Sequence, residues 1–159
     1  MTSKNPTIIT AEPGVPYIDI VRDFDAPKEA VRHAYLDRDL VQKWLGPRGY
    51  EMEVGEWKAE SGGSYQYTHR DPEGNSFGFN GVFHHIGDDL LVQTFEFDGW
   101  PGHVSLESLV FEDLGGRTRI RNHSVYQSVE DRDQMVNSGM EGGVNDGYER
   151  LDELLAEQH

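Results

Sequence analysis

Cysteine is absent from this chain of 159 residues. Thiol nucleophiles, thiolate zinc sites and iron–sulfur clusters are therefore excluded, and histidine, carboxylates and tyrosines are left to carry any chemistry. His69 is the best-placed candidate. In the stretch 63–70, Tyr65, Tyr67 and His69 alternate with Ser64, Gln66, Thr68 and Arg70, so a strand with a polar outer face points the first set inward. An inward imidazole can act as a general acid or base, or simply be a core histidine satisfied by water or backbone. An enolising or dehydrating site needs only such a group plus a donor for the developing oxyanion. Tyr67 or Asn122 would supply it, Asn122 sharing one face of strand 117–126 with Ile120 and Ser124. His69 is accordingly the catalytic candidate.

Arg22 shares a strand face with Ile18, Ile20 and Phe24, and a permanently charged guanidinium there must be paired or reach solvent. A carboxylate from within the protein would serve, and so would the carboxylate or enolate of a ligand. The aromatic residues Trp44, Phe79, Phe83, Phe95, Phe97 and Trp100 suit either a packed core or the lining of an apolar cavity. Trp100 lies between Gly99 and Gly102 on a hairpin tip, a setting for a flap over a cavity mouth or for a homodimer contact. Gly139, Gly143 and Gly147 recur every four residues and fall on one helical face, where they permit close packing or leave room for a ligand. The candidate ligand-binding residues are thus Arg22, Trp44, Tyr65, Tyr67, His69, Phe83, Phe95, Phe97, Asn122, Gly143 and Gly147.

Other chemistries find no support. The adjacent pair His84-His85 would point to opposite faces of a strand, so it cannot chelate one ion, and no metal site is expected. P-loop, G-x-G-x-x-G and G-x-S-x-G patterns are missing, which argues against phosphoryl transfer, hydride transfer and a serine hydrolase elbow. No cofactor is expected. With 14 Lys plus Arg against 29 Asp plus Glu, the formal charge is 14 − 29 = −15, and a nucleic-acid backbone would be repelled. No apolar run reaches the length of a membrane span and the N-terminus lacks signal-peptide character, so a cytoplasmic protein is expected. Without a secretory signal the triplet Asn122-His123-Ser124 is a chance match to a glycosylation site.

These residues must be positioned by a single domain, because a chain of this length buries roughly 70% of its unfolded surface in one core. Residues 1–15, punctuated by Pro6, Pro13 and Gly14, read as a flexible leader, and the domain spans 16–159. Strand-like alternation runs over 17–24. A helix over 27–36 follows, with Asp25 as its N-cap candidate, and then a short helix that starts at Asp37 or Asp39 and stops at Gly46-Pro47. Turn clusters then divide strands at 50–58, 63–70, 75–86, 90–97, 103–113 and 117–126, with connections too short for parallel crossovers. After Ser128, Met140, Val144, Tyr148, Leu151 and Leu155 recur at helical spacing and predict one long amphipathic helix. The class is α+β: a seven-stranded antiparallel sheet with helices on one face.

The segments Arg22-Asp23-Phe24-Asp25-Ala26-Pro27, Trp44-Leu45-Gly46-Pro47-Arg48-Gly49-Tyr50, Gly62-Gly63-Ser64-Tyr65, Asp71-Pro72-Glu73-Gly74 and Tyr148-Glu149-Arg150-Leu151-Asp152-Glu153-Leu154-Leu155 come in the same order as in a known superfamily. Over residues 17–156 the chain resembles the START-like (SRPBCC, birch-pollen-allergen-like) superfamily, and within it homologues of the heat-shock-protein-90 ATPase activator's C-terminal domain. The resemblance implies a helix-grip fold, in which the curved sheet wraps the C-terminal helix and leaves a cavity that the superfamily uses for lipids, sterols, polyketides and hormones. It implies no single activity, because function lives in sites rather than folds. Binding of a small, largely apolar molecule is the leading expectation. The alternatives are a cofactor-free cyclase or dehydratase acting on a polyketide-like or aromatic substrate through His69, and a chaperone-interacting protein.

Overall fold

The computed structural model describes residues 5–157, in which one antiparallel sheet carries four helices. Its strands are β1 (Thr7–Thr10), β2 (Tyr17–Phe24), β3 (Glu51–Trp57), β4 (Ser64–Arg70), β5 (Ser76–Ile86), β6 (Leu90–Phe97), β7 (Val104–Asp113) and β8 (Thr118–Val125). The helices are α1 (Lys28–Leu36), α2 (Arg38–Trp44), α3 (Val129–Asn137) and α4 (Met140–Glu157). The spatial order β1-β2-β8-β7-β6-β5-β4-β3 makes β2 and β8 neighbours, so the start and end of the strand-rich region meet, and β3 to β8 form a simple meander. The α+β class and the antiparallel sheet agree with the sequence.

Three details differ from the sequence-based expectation. The sheet has eight strands and not seven: Thr7-Ile8-Ile9-Thr10, inside the stretch predicted as a loose leader, pairs with β2 in the register Thr7↔Arg22 to Thr10↔Asp19. The β-branched run favours extended backbone, Ile9 packs on the core while Ile8 is exposed, and Pro6 and Pro13 flank the strand at the sheet edge, where proline is tolerated. The expected leader over 1–15 thus holds a strand, and residues 1–4 lie outside the described part. The single long C-terminal helix is broken into α3 and α4 at Ser138-Gly139, where Gly139 has φ +85°, the left-handed conformation that ends helices. Finally, Pro27 and not Asp25 stands at the N-cap of α1, without a side-chain bond, and Asp25 pairs with Arg117. Asp37 does cap α2, its carboxylate accepting from the backbone N–H of Asp39 at 2.9 Å and of Leu40 at 3.0 Å.

The inner face of the sheet is fixed by β2, where Ile18, Ile20, Arg22 and Phe24 are buried while their neighbours are less so. Through the strand registers this face continues into Thr118, Ile120, Asn122 and Ser124 on β8, then Ser105, Glu107, Leu109 and Phe111 on β7. Leu91, Gln93 and Phe95 carry it onto β6. The helix α4 contributes Tyr148, Leu151, Leu154 and Leu155 to the core. Burying a Leu or Phe side chain stabilises by about 1.5–3 kcal/mol, so this seam anchors α4 to the sheet. Helix α2 packs against α4 where Gly147 permits contact: a Cβ there would lie 3.4 Å from the carbonyl oxygen of Trp44.

Candidate functional site: the inner face of the sheet

Strands β4, β5 and β6 lay aromatic rings side by side because their inward positions are Tyr65, Tyr67 and His69, then Phe77, Phe79 and Phe83, then Phe95 and Phe97. Tyr65 and Tyr67 are stacked with centroids 6.1 Å apart, Tyr67 stacks on Phe79 at 5.3 Å, and Phe79 stacks on Phe95 at 5.3 Å with 20° between planes. Phe97 lies 5.4 Å from Phe79, and Tyr50 stacks on Phe77 at 6.4 Å. Offset stacking of this kind adds about 0.5–1.5 kcal/mol per pair beyond burial. Tyr65, Tyr67 and Phe83 are sealed, whereas Phe77, Phe79, Phe95 and Phe97 keep part of their surface accessible. The result is an aromatic floor, buried at one end and open at the other.

His69 lies on this floor, 5.1 Å from the Tyr67 ring and 5.6 Å from Phe79. It is 7% exposed, and its Nε2 has no hydrogen-bond partner. Burial pushes its pKa below the ordinary histidine range, with hydrogen bonding to the Leu45 backbone working the other way and the positive charge of Arg150 adding to the depression. The imidazole is therefore held neutral. Above it passes the turn after α2, where Gly46 has φ +101° and a Cβ would come within 2.7 Å of the imidazole Cε1.

Beside the floor, β6, β7 and β8 gather polar groups on the same inner face. Glu107 accepts a hydrogen bond from Gln93 Nε2 at Oε1, 3.1 Å, and one from the Ser124 hydroxyl at Oε2, 3.1 Å. Ser124 Oγ also lies 3.1 Å from Asn122 Oδ1. Glu107 sits deep enough for burial to raise its pKa above the carboxylate range, against the lowering effect of its two donors. It nevertheless retains accessible surface, as do Gln93, Phe95 and Asn122, so the inner face is not fully covered beside these residues. Its charge reaches Tyr35, Tyr65, Tyr67, Tyr126 and Tyr148, all with pKa values raised chiefly by burial, that of Tyr148 to about 12. Those phenols are hydrogen-bonding groups and not acids in any ordinary pH range.

The structure thus brings together Tyr65, Tyr67, His69, Phe83, Phe95 and Phe97 along the floor, and Asn122 in the polar group. It sends the other sequence candidates elsewhere. Arg22, 1% exposed, is held by Asp152 of α4 through Nη2–Oδ2 at 2.6 Å and Nη1–Oδ1 at 2.8 Å, and donates to the Asp23 carbonyl. Trp44 is buried and donates its indole N–H to the Ala34 carbonyl at 2.9 Å, tying α2 to α1. Gly143 faces Pro47 and Gly147 faces the 44–46 backbone, so both serve the helix–helix seam, while Gly139 lies outside α4. Trp100 stacks on His103 at 3.7 Å, and His103 Nδ1 meets Asp131 Oδ2 at 2.9 Å, fastening the β6–β7 hairpin to α3.

Glu107 and Gln93 were missed from the sequence. Glu107 does alternate in step with Leu109 and Phe111, but Leu106 and Val110 make the opposite face of β7 equally apolar, so alternation alone did not say which way the carboxylate points. Two open recesses on the outside, about 400 Å³ beside Lys28, Glu29, Arg32 and Asp88 and about 440 Å³ beside Pro6, Ile8, Val21, Arg119 and Arg121, are walled by residues in surface ion pairs such as Lys28–Asp89, Arg119–Asp23 and Arg121–Glu112. Lys28, Arg119 and Arg121 are thereby paired. Among the described residues no group of three His, Asp or Glu is arranged to hold a metal ion, and no helix is long and apolar enough to cross a membrane.

A curved antiparallel sheet gripping a C-terminal helix over an aromatic and partly polar inner face defines the START-like, helix-grip class of proteins. Residues 25–156 match the family model described as "Activator of Hsp90 ATPase homolog 1-like protein", and the chain belongs to that family. An Arthrobacter aurescens protein solved by NMR is similar at TM-score 0.86 and 25% identity, covering 94% of this chain and 91% of that one. A Rhodobacter sphaeroides crystal structure is similar at TM-score 0.86 and 24% identity, covering 95% and 99%. CalU16 from Micromonospora echinospora shares the fold at TM-score 0.61 and 19% identity, covering 98% and 77%. No functionally curated protein matches the sequence.

Proposed function

We propose that this protein binds a small, largely apolar molecule between the inner face of its sheet and the helix α4. The observation that carries the proposal is the aromatic floor: Phe77, Phe79, Phe95 and Phe97 face inward yet keep accessible surface, and interior aromatic area left uncovered is stabilised by an apolar occupant at about 25 cal/mol per Å². The mixture of stacked rings with a few polar groups is the usual makeup of a ligand site, and the fold to which the chain belongs commonly holds hydrophobic ligands. Native mass spectrometry on protein purified gently from its own host tests it. Reproducible added mass released by denaturation supports the reading; a bare polypeptide mass, together with failure to take up any aromatic probe, overturns it.

A second reading rests on a specific observation of its own. His69 is neutral, close to Tyr67, and has an unpartnered Nε2, the state required of a general base. A proton-transfer enzyme of the cyclase or dehydratase type would lose turnover in His69→Ala while retaining binding. Turnover unchanged by that substitution removes this second reading.

A further inference from the structure

The occupant's chemistry can be narrowed from the polar wall that β6, β7 and β8 form on the inner face, an inference that rests on the binding reading above. Glu107 stands two residues from Ser105 on the same inner face of β7, opposite Gln93 of β6 and Ser124 of β8. Each carboxylate oxygen accepts one hydrogen bond from the protein and retains lone-pair capacity for another donor. Among the described residues Glu107 has no ion-pair partner: the one buried arginine of the inner face, Arg22, is clasped by Asp152. A second group on the same wall is left incomplete, because Ser105 Oγ, in a residue only 3% exposed, has no hydrogen-bond partner. Buried carboxylates and hydroxyls are normally answered, and leaving them unanswered is costly.

We infer that this inner face takes an amphipathic amine, whose protonated nitrogen pairs with Glu107 and donates to Ser105 Oγ while its aromatic or apolar body lies on the floor of Phe79 and Phe95. Three independent features agree. A cation gains from the faces of aromatic rings, which an anion does not. The net charge of −15 concentrates cations at the molecule and repels carboxylates. An anionic head group would meet no uncommitted basic side chain on this wall, since Arg22 is engaged and His69 is held neutral. Glu107 also fits the part energetically: burial raises its pKa above the carboxylate range, and an arriving ammonium supplies the counter-charge that makes ionisation favourable.

The test uses the full chain and three matched probes of nearly equal shape: 1-naphthylmethylamine, 1-naphthalenemethanol and 1-naphthoic acid, titrated calorimetrically at neutral pH and physiological ionic strength. The amine is expected to bind at least about tenfold more tightly than the alcohol, the worth of one charge-assisted hydrogen bond in a shielded site, and the acid least well. In Glu107→Gln the amine's advantage should shrink to within about threefold of the alcohol, whose own affinity stays unchanged. That variant alters net charge only from −15 to −15 + 1 = −14, so attraction by the acidic surface survives it and cannot mimic the loss. Carbon-13 NMR of the Glu107 carboxyl in the unaltered protein gives a readout that needs no variant: the amine, and not the alcohol, should lower the pH at which its signal titrates. Equal affinity for amine and alcohol, an advantage that persists in Glu107→Gln, or a Glu107 signal indifferent to the amine overturns the inference while leaving the binding reading intact. Failure of all three probes to bind overturns both.

Discussion

Removing the carboxylate of Asp152 is expected to be the most damaging polar truncation in the molecule. Arg22 is 1% exposed and Asp152 about one-quarter exposed, and the guanidinium lies 4.8 Å from the Phe24 ring and 5.7 Å from that of Tyr148. It cannot swing into water without opening the seam between β2 and α4. In Asp152→Ala it keeps its bond to the Asp23 carbonyl but loses the bidentate counter-charge, and an uncompensated buried charge costs about 3–5 kcal/mol. Partial access of water through the Asp152 side favours the lower end. For a domain of this size each kcal/mol moves Tm by about 2–4 °C, so the fall should be about 6–20 °C. Urea unfolding followed by circular dichroism and by tryptophan fluorescence measures the free energy directly. The double variant Arg22→Met, Asp152→Leu should recover most of the loss, because a well-packed apolar pair often equals a buried ion pair. A loss below about 1 kcal/mol in Asp152→Ala, the value typical of exposed pairs, would refute the assignment of Arg22 to the helix–sheet seam and return it to the list of ligand anchors.

Other expectations follow from the same geometry. His69 has a folded pKa depressed by burial, so its contribution is fully present above the ordinary value of about 6.5 and is lost as pH falls toward the folded value; His69→Gln should flatten the acid-side decline seen in urea midpoints between pH 7 and 5. Glu107 has the opposite sign: its folded pKa is raised, stability is fully present below the ordinary carboxylate value of about 4.3 and is lost as pH rises through the folded one. Glu107→Gln should therefore gain on the parent protein from pH 5 to pH 8, and an unchanged difference across that range would contradict its burial. Gly46→Ala combines a left-handed backbone with a Cβ only 2.7 Å from the His69 ring, and should cost on the order of 1–3 kcal/mol in the same unfolding assay.

The sequence carried the meander well, since Gly62-Gly63, Asp71-Pro72, Gly87-Asp88 and Gly115-Gly116 punctuate it where chains must turn. It carried the inward set Tyr65, Tyr67 and His69 for a related reason: strict alternation with polar residues leaves one orientation. The same logic misled where alternation was weak. On β7, apolar residues on both faces concealed Glu107, and at Thr7–Thr10 neighbouring prolines masked a short β-branched run whose pairing depends on β2, a partner remote in sequence. Glycine was ambiguous by nature. The four-residue spacing of Gly139, Gly143 and Gly147 predicted a shared helical face, but only the backbone of the finished fold distinguishes Gly139 as a helix break from Gly147 as a contact with α2. Arg22 announced that it needed a partner without naming it, since Asp152 lies 130 residues away.

On the proposed function, the inner aromatic floor, and not the outer surface, receives a ligand. The most direct test is a search for intermolecular NOEs between 1-naphthalenemethanol and the protein. Contacts are expected to the ring protons of Phe79 and Phe95, which face the interior, and none to the methyl groups of Val82 and Leu106, which are 44% and 46% exposed on the outer face. Contacts confined to Val82 and Leu106, with Phe79 and Phe95 silent, would contradict it.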